Sequence, residues 1–74
     1  MPLPMIGNWT VTVNDLRPFT IHGDEYFEMH VTHAADNSDH LVRVPRHAAL
    51  TPVVAGTRVV LTFLMGQVTE VRAV

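Results

Sequence analysis

The sequence predicts an all-β domain: a small five-stranded barrel with one short helix between strands 3 and 4. Three observations predict it. The stretch Gly56–Val74 reads as two long strands joined by a tight turn at Met65-Gly66-Gln67. Asn8–Val13 and Tyr26–His33 alternate apolar and polar residues with the period of a half-buried strand. Helical patterning is confined to Pro45–Leu50, where Pro suits a first helical position and Thr51-Pro52 stops the helix.

The elements follow in order. In strand 1, Trp9, Val11 and Val13 share the inward face, with Trp9 as a core anchor whose indole N–H needs a partner. Asn14-Asp15 signals a turn and Arg17-Pro18 a break in pairing. Phe19–His22 reads either as a short strand or as the far half of a bent first strand, and His22-Gly23-Asp24-Glu25 as a turn. Strand 2, Tyr26–His33, directs Phe27, Met29, Val31 and His33 inward and Tyr26, Glu28, His30 and Thr32 outward. Strand 3 is His40–Val44. With the turn centred on Asp36-Asn37, the expected register sets His33 opposite His40, Val31 opposite Val42 and Met29 opposite Val44, with His30 beside Arg43 and Thr32 beside Leu41 on the other face. Strand 4 is Thr57–Leu64. Its run Val59–Leu64 is apolar on both faces, as in a strand buried centrally or in a closed barrel. Strand 5 is Val68–Ala73, and Gly66 supplies a positive φ in the connecting turn.

This order of three strands, a short helix and two strands resembles the OB-fold, a five-stranded Greek-key barrel. The resemblance rests on element order, length and the closing hairpin Gly56–Val71, without a family motif. An SH3-like barrel is the alternative. The OB-fold resemblance implies a ligand face on strands 2 and 3.

Composition narrows the function. A chain of 74 residues has room for a single domain, and one this small buries only about 60% of its unfolded surface. It has no Cys, hence no disulfide and no thiolate metal site. The hydrophobic fraction, 47%, is high for so small a domain, so either the barrel packs tightly or a second copy or partner covers apolar surface. Met1–Met5 has neither a basic start nor a following apolar leader run. Val59–Met65 is too short to span a bilayer. A cytoplasmic protein with no membrane partner is expected.

Charge is unevenly spread. Net charge is −2, and every basic residue is Arg. Residues 1–39 hold six acids and one Arg, the remainder four Arg and one Glu. Either the two halves pair within the fold or they present a two-signed surface suited to association.

Candidates for chemistry are few. The one Ser, Ser38, lies in a hairpin tip without a G-x-S-x-G context, and no Gly-rich phosphate loop exists, so no enzymatic activity is expected. His33 and His40, with Asp39 or Asp36 from the intervening loop, make a candidate Zn²⁺ or Ni²⁺ set; the alternative is a half-exposed polar rim. None of the recognised ligand spacings is present, and no cofactor is expected. The outer face of strands 2 and 3 offers Tyr26 to stack on a base and Arg43 and Arg46 to meet phosphate, with His30 alongside. Glu28 on the same face opposes this, pairing diagonally with Arg43 at the surface. The expectation is a non-enzymatic module binding single-stranded DNA or RNA, or another oligomeric ligand. The alternative is a protein-interaction or homo-oligomerisation module of a larger assembly.

Overall fold

A computed structural model describes residues 5–74; the leader reading over Met1–Met5 falls almost entirely outside these. The described residues form five antiparallel strands: β1 (Ile6–Ile21), β2 (Asp24–His33), β3 (Asp39–Pro45), β4 (Arg58–Leu64) and β5 (Gln67–Ala73). A single 3-10 turn, Arg46–Ala48, lies between β3 and β4. The sheet order is β3-β2-β1-β4-β5. The sheet curls until its edge strands β3 and β5 touch, but they are not joined by a ladder. A parallel bridge Ala49–Val71, with the Leu50 N–H donating to the Val71 carbonyl at 3.0 Å, ties the segment after β3 to β5. The result is a barrel-like shell with an open seam.

β1, not the C-terminal hairpin, is central. It pairs with β4 over residues 6–12 and with β2 over residues 11–21. Neither Asn14-Asp15 nor Pro18 ends it. Asn14 is the extra residue of a β-bulge, where the register shifts between Val13 and Asp15. The Val13 N–H donates to the Thr57 carbonyl at 2.8 Å and its carbonyl accepts from the Gly56 N–H at 2.6 Å; beyond that point β1 has β2 alone as neighbour. Pro18 is accommodated by parity. The two-residue turn His22-Gly23 makes Ile21–Asp24 a hydrogen-bonded pair, so Pro18–Phe27 is a non-bonded pair and the proline nitrogen faces the free edge.

The bulge also reverses the in-out alternation. Val13 and Leu16, three apart, both pack inward, and Phe19 is directed outward beside Tyr26. Both β1–β2 and β4–β5 turn on a non-Gly/Gly pair at positive φ, His22 (51°) with Gly23 (85°) and Met65 (54°) with Gly66 (78°), the backbone of a type I′ hairpin.

The β2–β3 register is displaced two residues from expectation. Val31 faces His40, Met29 faces Val42 and Phe27 faces Val44, with Glu28, His30 and Thr32 opposite Arg43, Leu41 and Asp39. The loop is shorter than the sequence suggested. The His33 N–H donates to the Ser38 carbonyl, the Asn37 N–H donates back to the His33 carbonyl, both at 2.8 Å, and Asn37 turns the chain at φ 58°. An even displacement leaves each residue on its expected face. The helix is also shorter: Pro45 stays extended at the end of β3, and Ala49 is already extended again.

The core is one cluster. Val11, Val13, Met29, Val31, Val42, Val44, Val59, Leu61, Phe63, Val68 and Val71 line the concave side, with Ala48 of the 3-10 turn; Trp9, Leu16, Phe27 and Val53 pack against it half-buried. β4 is buried on one face only: Val59, Leu61 and Phe63 point in, whereas Leu64 is 50% exposed. Its apolar outer residues are not covered by a second layer. Leu61→Ala is therefore expected to cost about 2–5 kcal/mol, and Leu64→Ala no more than about 0.5 kcal/mol. Urea denaturation of the two variants checks this; equal losses would mean that β4 is enclosed on both sides.

Candidate functional site

The convex face of β1, β2 and β3 carries three cross-strand rows. Asp15, His30 and Leu41 form one, Arg17, Glu28 and Arg43 the next, and Phe19, Tyr26 and Pro45 the last. Phe19 and Tyr26 stack with centroids 5.5 Å apart and planes 22° from parallel. The Arg43 guanidinium lies over the Phe19 ring, 5.6 Å from its centroid, within cation–π range. Glu28 is directly opposite Arg43 in register, not diagonal, yet the ion pairs of the described residues do not include it. Arg43 is held by the aromatic ring rather than by the acid.

The structure brings Tyr26 and Arg43 together through Phe19. His30 stands two rows away, exposed, with Nδ1 3.9 Å from Asp15 Oδ2. Arg46 is off the strands, in the 3-10 turn, and its Nη1 donates to Glu25 Oε2. It lines a cavity of about 480 Å³ at the hairpin end together with Pro18, Thr20, Glu25 and Phe27, which share the sheet face opposite the Phe19–Tyr26 stack. Sequence reading missed Phe19 and Arg17 as site residues. Both lie beyond the bulge, which conceals their side of the sheet from any period-2 reading. The only signal was that Phe19–His22 had strand character.

The four C-terminal arginines do not form one patch. Arg58 pairs in register with Thr12 and Arg72 with Val60, on the β4–β5 side, and Arg72 is also ion-paired with Glu70 at 2.9 Å. Nor do the two halves of the chain neutralise each other. Of the two Arg–carboxylate ion pairs among the described residues, Glu25–Arg46 joins the halves and Glu70–Arg72 is internal to one; the His30–Asp15 and His33–Asp36 contacts are internal to the other.

The histidine cluster is built around Trp9. His33 stacks on the indole at 4.0 Å and 10°, and His40 packs against it at 4.9 Å and 57°. Phe63 meets the same ring edge-on at 5.4 Å. Asp39 belongs to the opposite face, where it accepts from Thr32 Oγ1 at 2.8 Å, because neighbouring strand residues alternate. Asp36 is the carboxylate beside the histidines, its Oδ1 3.4 Å from His33 Nδ1. His33, His40 and Asp39 thus do not converge, and among the described residues no three His, Asp or Glu side chains are placed to hold a metal ion.

Ser38 serves the loop. Its hydroxyl donates to Asp36 Oδ1 at 2.6 Å, which leaves its oxygen to accept from His40 Nε2–H at 2.7 Å. The hydroxyl proton faces the carboxylate, not the imidazole, so the imidazole does not activate it as a nucleophile. Among the described residues no helix is long and apolar enough to cross a membrane.

The Asp36 carboxyl is held below its usual value of 3.8, first by the Ser38 hydroxyl and then by the Ser38 backbone N–H. A carboxylate favoured in the folded state stabilises it above the unfolded pKa, and that stability is lost as pH falls through the folded one. The melting-temperature difference between the parent and Asp36→Asn is therefore expected to shrink as pH falls below 3.8; a difference that does not change on acidification would contradict the assignment. Compared with protein-family models, curated proteins and solved structures, the chain matches none.

Proposed function

We propose that this protein is a non-enzymatic binding module that takes single-stranded nucleic acid on the convex face of β1–β3. The observation that carries this reading is the stacked Phe19–Tyr26 pair flanked by Arg17 and Arg43. Aromatic rings offer bases a stacking surface worth about 1–3 kcal/mol each, and guanidinium groups meet the backbone. Glu28 sits between Arg17 and Arg43 in register, so that row keeps a net positive charge despite the chain's overall −2. The connectivity adds support. Strand β1 pairs with both β2 and β4, the connection from β3 to β4 contains the one 3-10 turn of the described residues, and the seam lies between β3 and β5. This resembles the OB-fold, whose strand 2–3 face commonly binds oligonucleotides.

Fluorescence anisotropy with a labelled oligo(dT) at low and moderate salt tests the reading. Binding is expected to weaken as salt rises. Phe19→Ala should lower affinity about 5- to 150-fold, and Arg43→Ala should reduce the salt slope by about one. No binding at low salt, or binding indifferent to both substitutions in folded variants, refutes it.

A second reading, self-association, rests on a different surface. Met5, Ile6, Leu64 and Met65 are 67, 73, 50 and 76% exposed. Ile6 and Leu64 are cross-strand partners, and the Gly66 N–H donates to the Met5 carbonyl at 3.1 Å. This groups the four at one end of the shell, and contiguous exposed apolar side chains mark interaction surfaces. Sedimentation velocity is expected to show a concentration-dependent dimer that Ile6→Asp dissociates; a monomer at every concentration rules it out.

A further inference from the structure

We propose that the free edge of β1 beyond its bulge takes an extended peptide alternating apolar and acidic residues, added to the sheet as a further antiparallel strand. The surface is the backbone edge of β1, and the inference does not rest on the single-strand reading above.

β1 loses its neighbour on one side partway along. β4 pairs with it as far as Thr12, and the Gly56 and Thr57 bonds to Val13 end that contact. From Asp15 to Ile21 only β2 lies alongside. Hydrogen-bonding direction alternates along an antiparallel strand. The parity that turns the Pro18 nitrogen outward turns the backbone of Leu16 and Thr20 the same way, since no register shift separates them. Leu16 and Thr20 each present an N–H and a C=O to this edge, and Pro18 a C=O alone. Among the described residues no turn or loop hydrogen bond reaches them, and Arg17, Pro18, Thr20 and Ile21 are exposed. The proline blunts the edge by one donor, yet the remaining groups still offer a ladder to an incoming strand.

The side chains beside that edge set the partner's composition. A residue paired across from Leu16, Pro18 or Thr20 shares their concave face. Leu16, Phe27 and Val53 pack only half-buried against the core, so the fold leaves apolar surface there to cover. Pro18, Thr20 and Phe27 also help line the cavity of about 480 Å³ on that face. Apolar side chains fit these positions. A residue paired across from Arg17 lies on the convex face instead. Arg17 is opposite Glu28 on β2 but makes no ion pair among the described residues. On its open side the pairing with a new strand is of the non-hydrogen-bonded kind, which brings side chains closest. A carboxylate there gives Arg17 an opposite charge directly across the ladder, a favourable cross-strand pair.

Amide chemical shifts of the isotope-labelled protein, titrated with a soluble peptide alternating valine and glutamate, test this. The largest changes are expected at Leu16 and Thr20, whose N–H groups gain acceptors. Thr20→Pro removes a donor that bonds nothing in the free protein, and should weaken the peptide about 2- to 13-fold, the worth of one hydrogen bond. Pro18→Ala supplies the missing donor and should tighten binding by a similar factor. A peptide alternating valine and lysine should bind the parent more weakly than the glutamate peptide, and Arg17→Glu should reverse that order. Thermal melts verify that the variants fold. The proposal is overturned by shifts confined to other strands, by an affinity indifferent to Thr20→Pro, or by equal binding of the two peptides. Failure to bind either peptide overturns it as well, and each of these outcomes leaves the single-strand reading standing.

Discussion

Everything in this fold depends on one strand hydrogen-bonding to two neighbours in succession. β1 is 16 residues long, and its first half is shared between β4 and β2 while its second half belongs to β2 alone. A flat strand of that length would not curl the sheet far enough to bring β3 against β5. The bulge at Asn14 supplies the bend, since an extra residue on one strand raises the local twist. Its side chain is also anchored: Asn14 Nδ2 donates to Thr32 Oγ1, and Thr32 Oγ1 donates to Asp39 Oδ1, both at 2.8 Å. This line of side chains crosses three strands on the convex side where the curvature begins.

The two ends of the shell are finished differently. At one end Trp9 fills the space below the β2–β3 loop, contacting His33, His40 and Phe63. Imidazole serves there as a flat ring with a polar margin that reaches the loop through Asp36 and Ser38. At the other end the β1–β2 hairpin runs past the last residue of β4's pairing and carries Phe19, Tyr26 and the cavity beside them. Core apolar side chains hold the first end. The second has few of them, so its aromatic rings are half-buried rather than enclosed.

Charge follows the same division. Local pairing consumes Asp36, Glu70 and Arg72, while Arg17 and Arg43 make no ion pair among the described residues. A net negative chain can therefore still present guanidinium groups where the aromatic row lies. The relevant quantity is the charge of one sheet face, not the total.

The sequence by itself determined the all-β class, four of the five strands, the two Gly turns and the inward sets Trp9/Val11/Val13 and Phe27/Met29/Val31/His33. Period-2 alternation is a local property that any strand with one wet face must show. It also placed Tyr26 and Arg43 on one outer surface. Only the tertiary structure decided the rest. The course of β1 through Asn14 and Pro18 was hidden because a bulge reverses parity and an edge position tolerates proline, and both depend on which neighbour is present. The β2–β3 register turned on whether Ser38 or His40 faces His33, a choice made by loop hydrogen bonds two residues away from any apolar signal. The apolar outer residues of β4 read as burial, but no further layer lies over them. Hydrophobicity reports what a residue would gain by being covered; whether anything covers it is settled by the other strands.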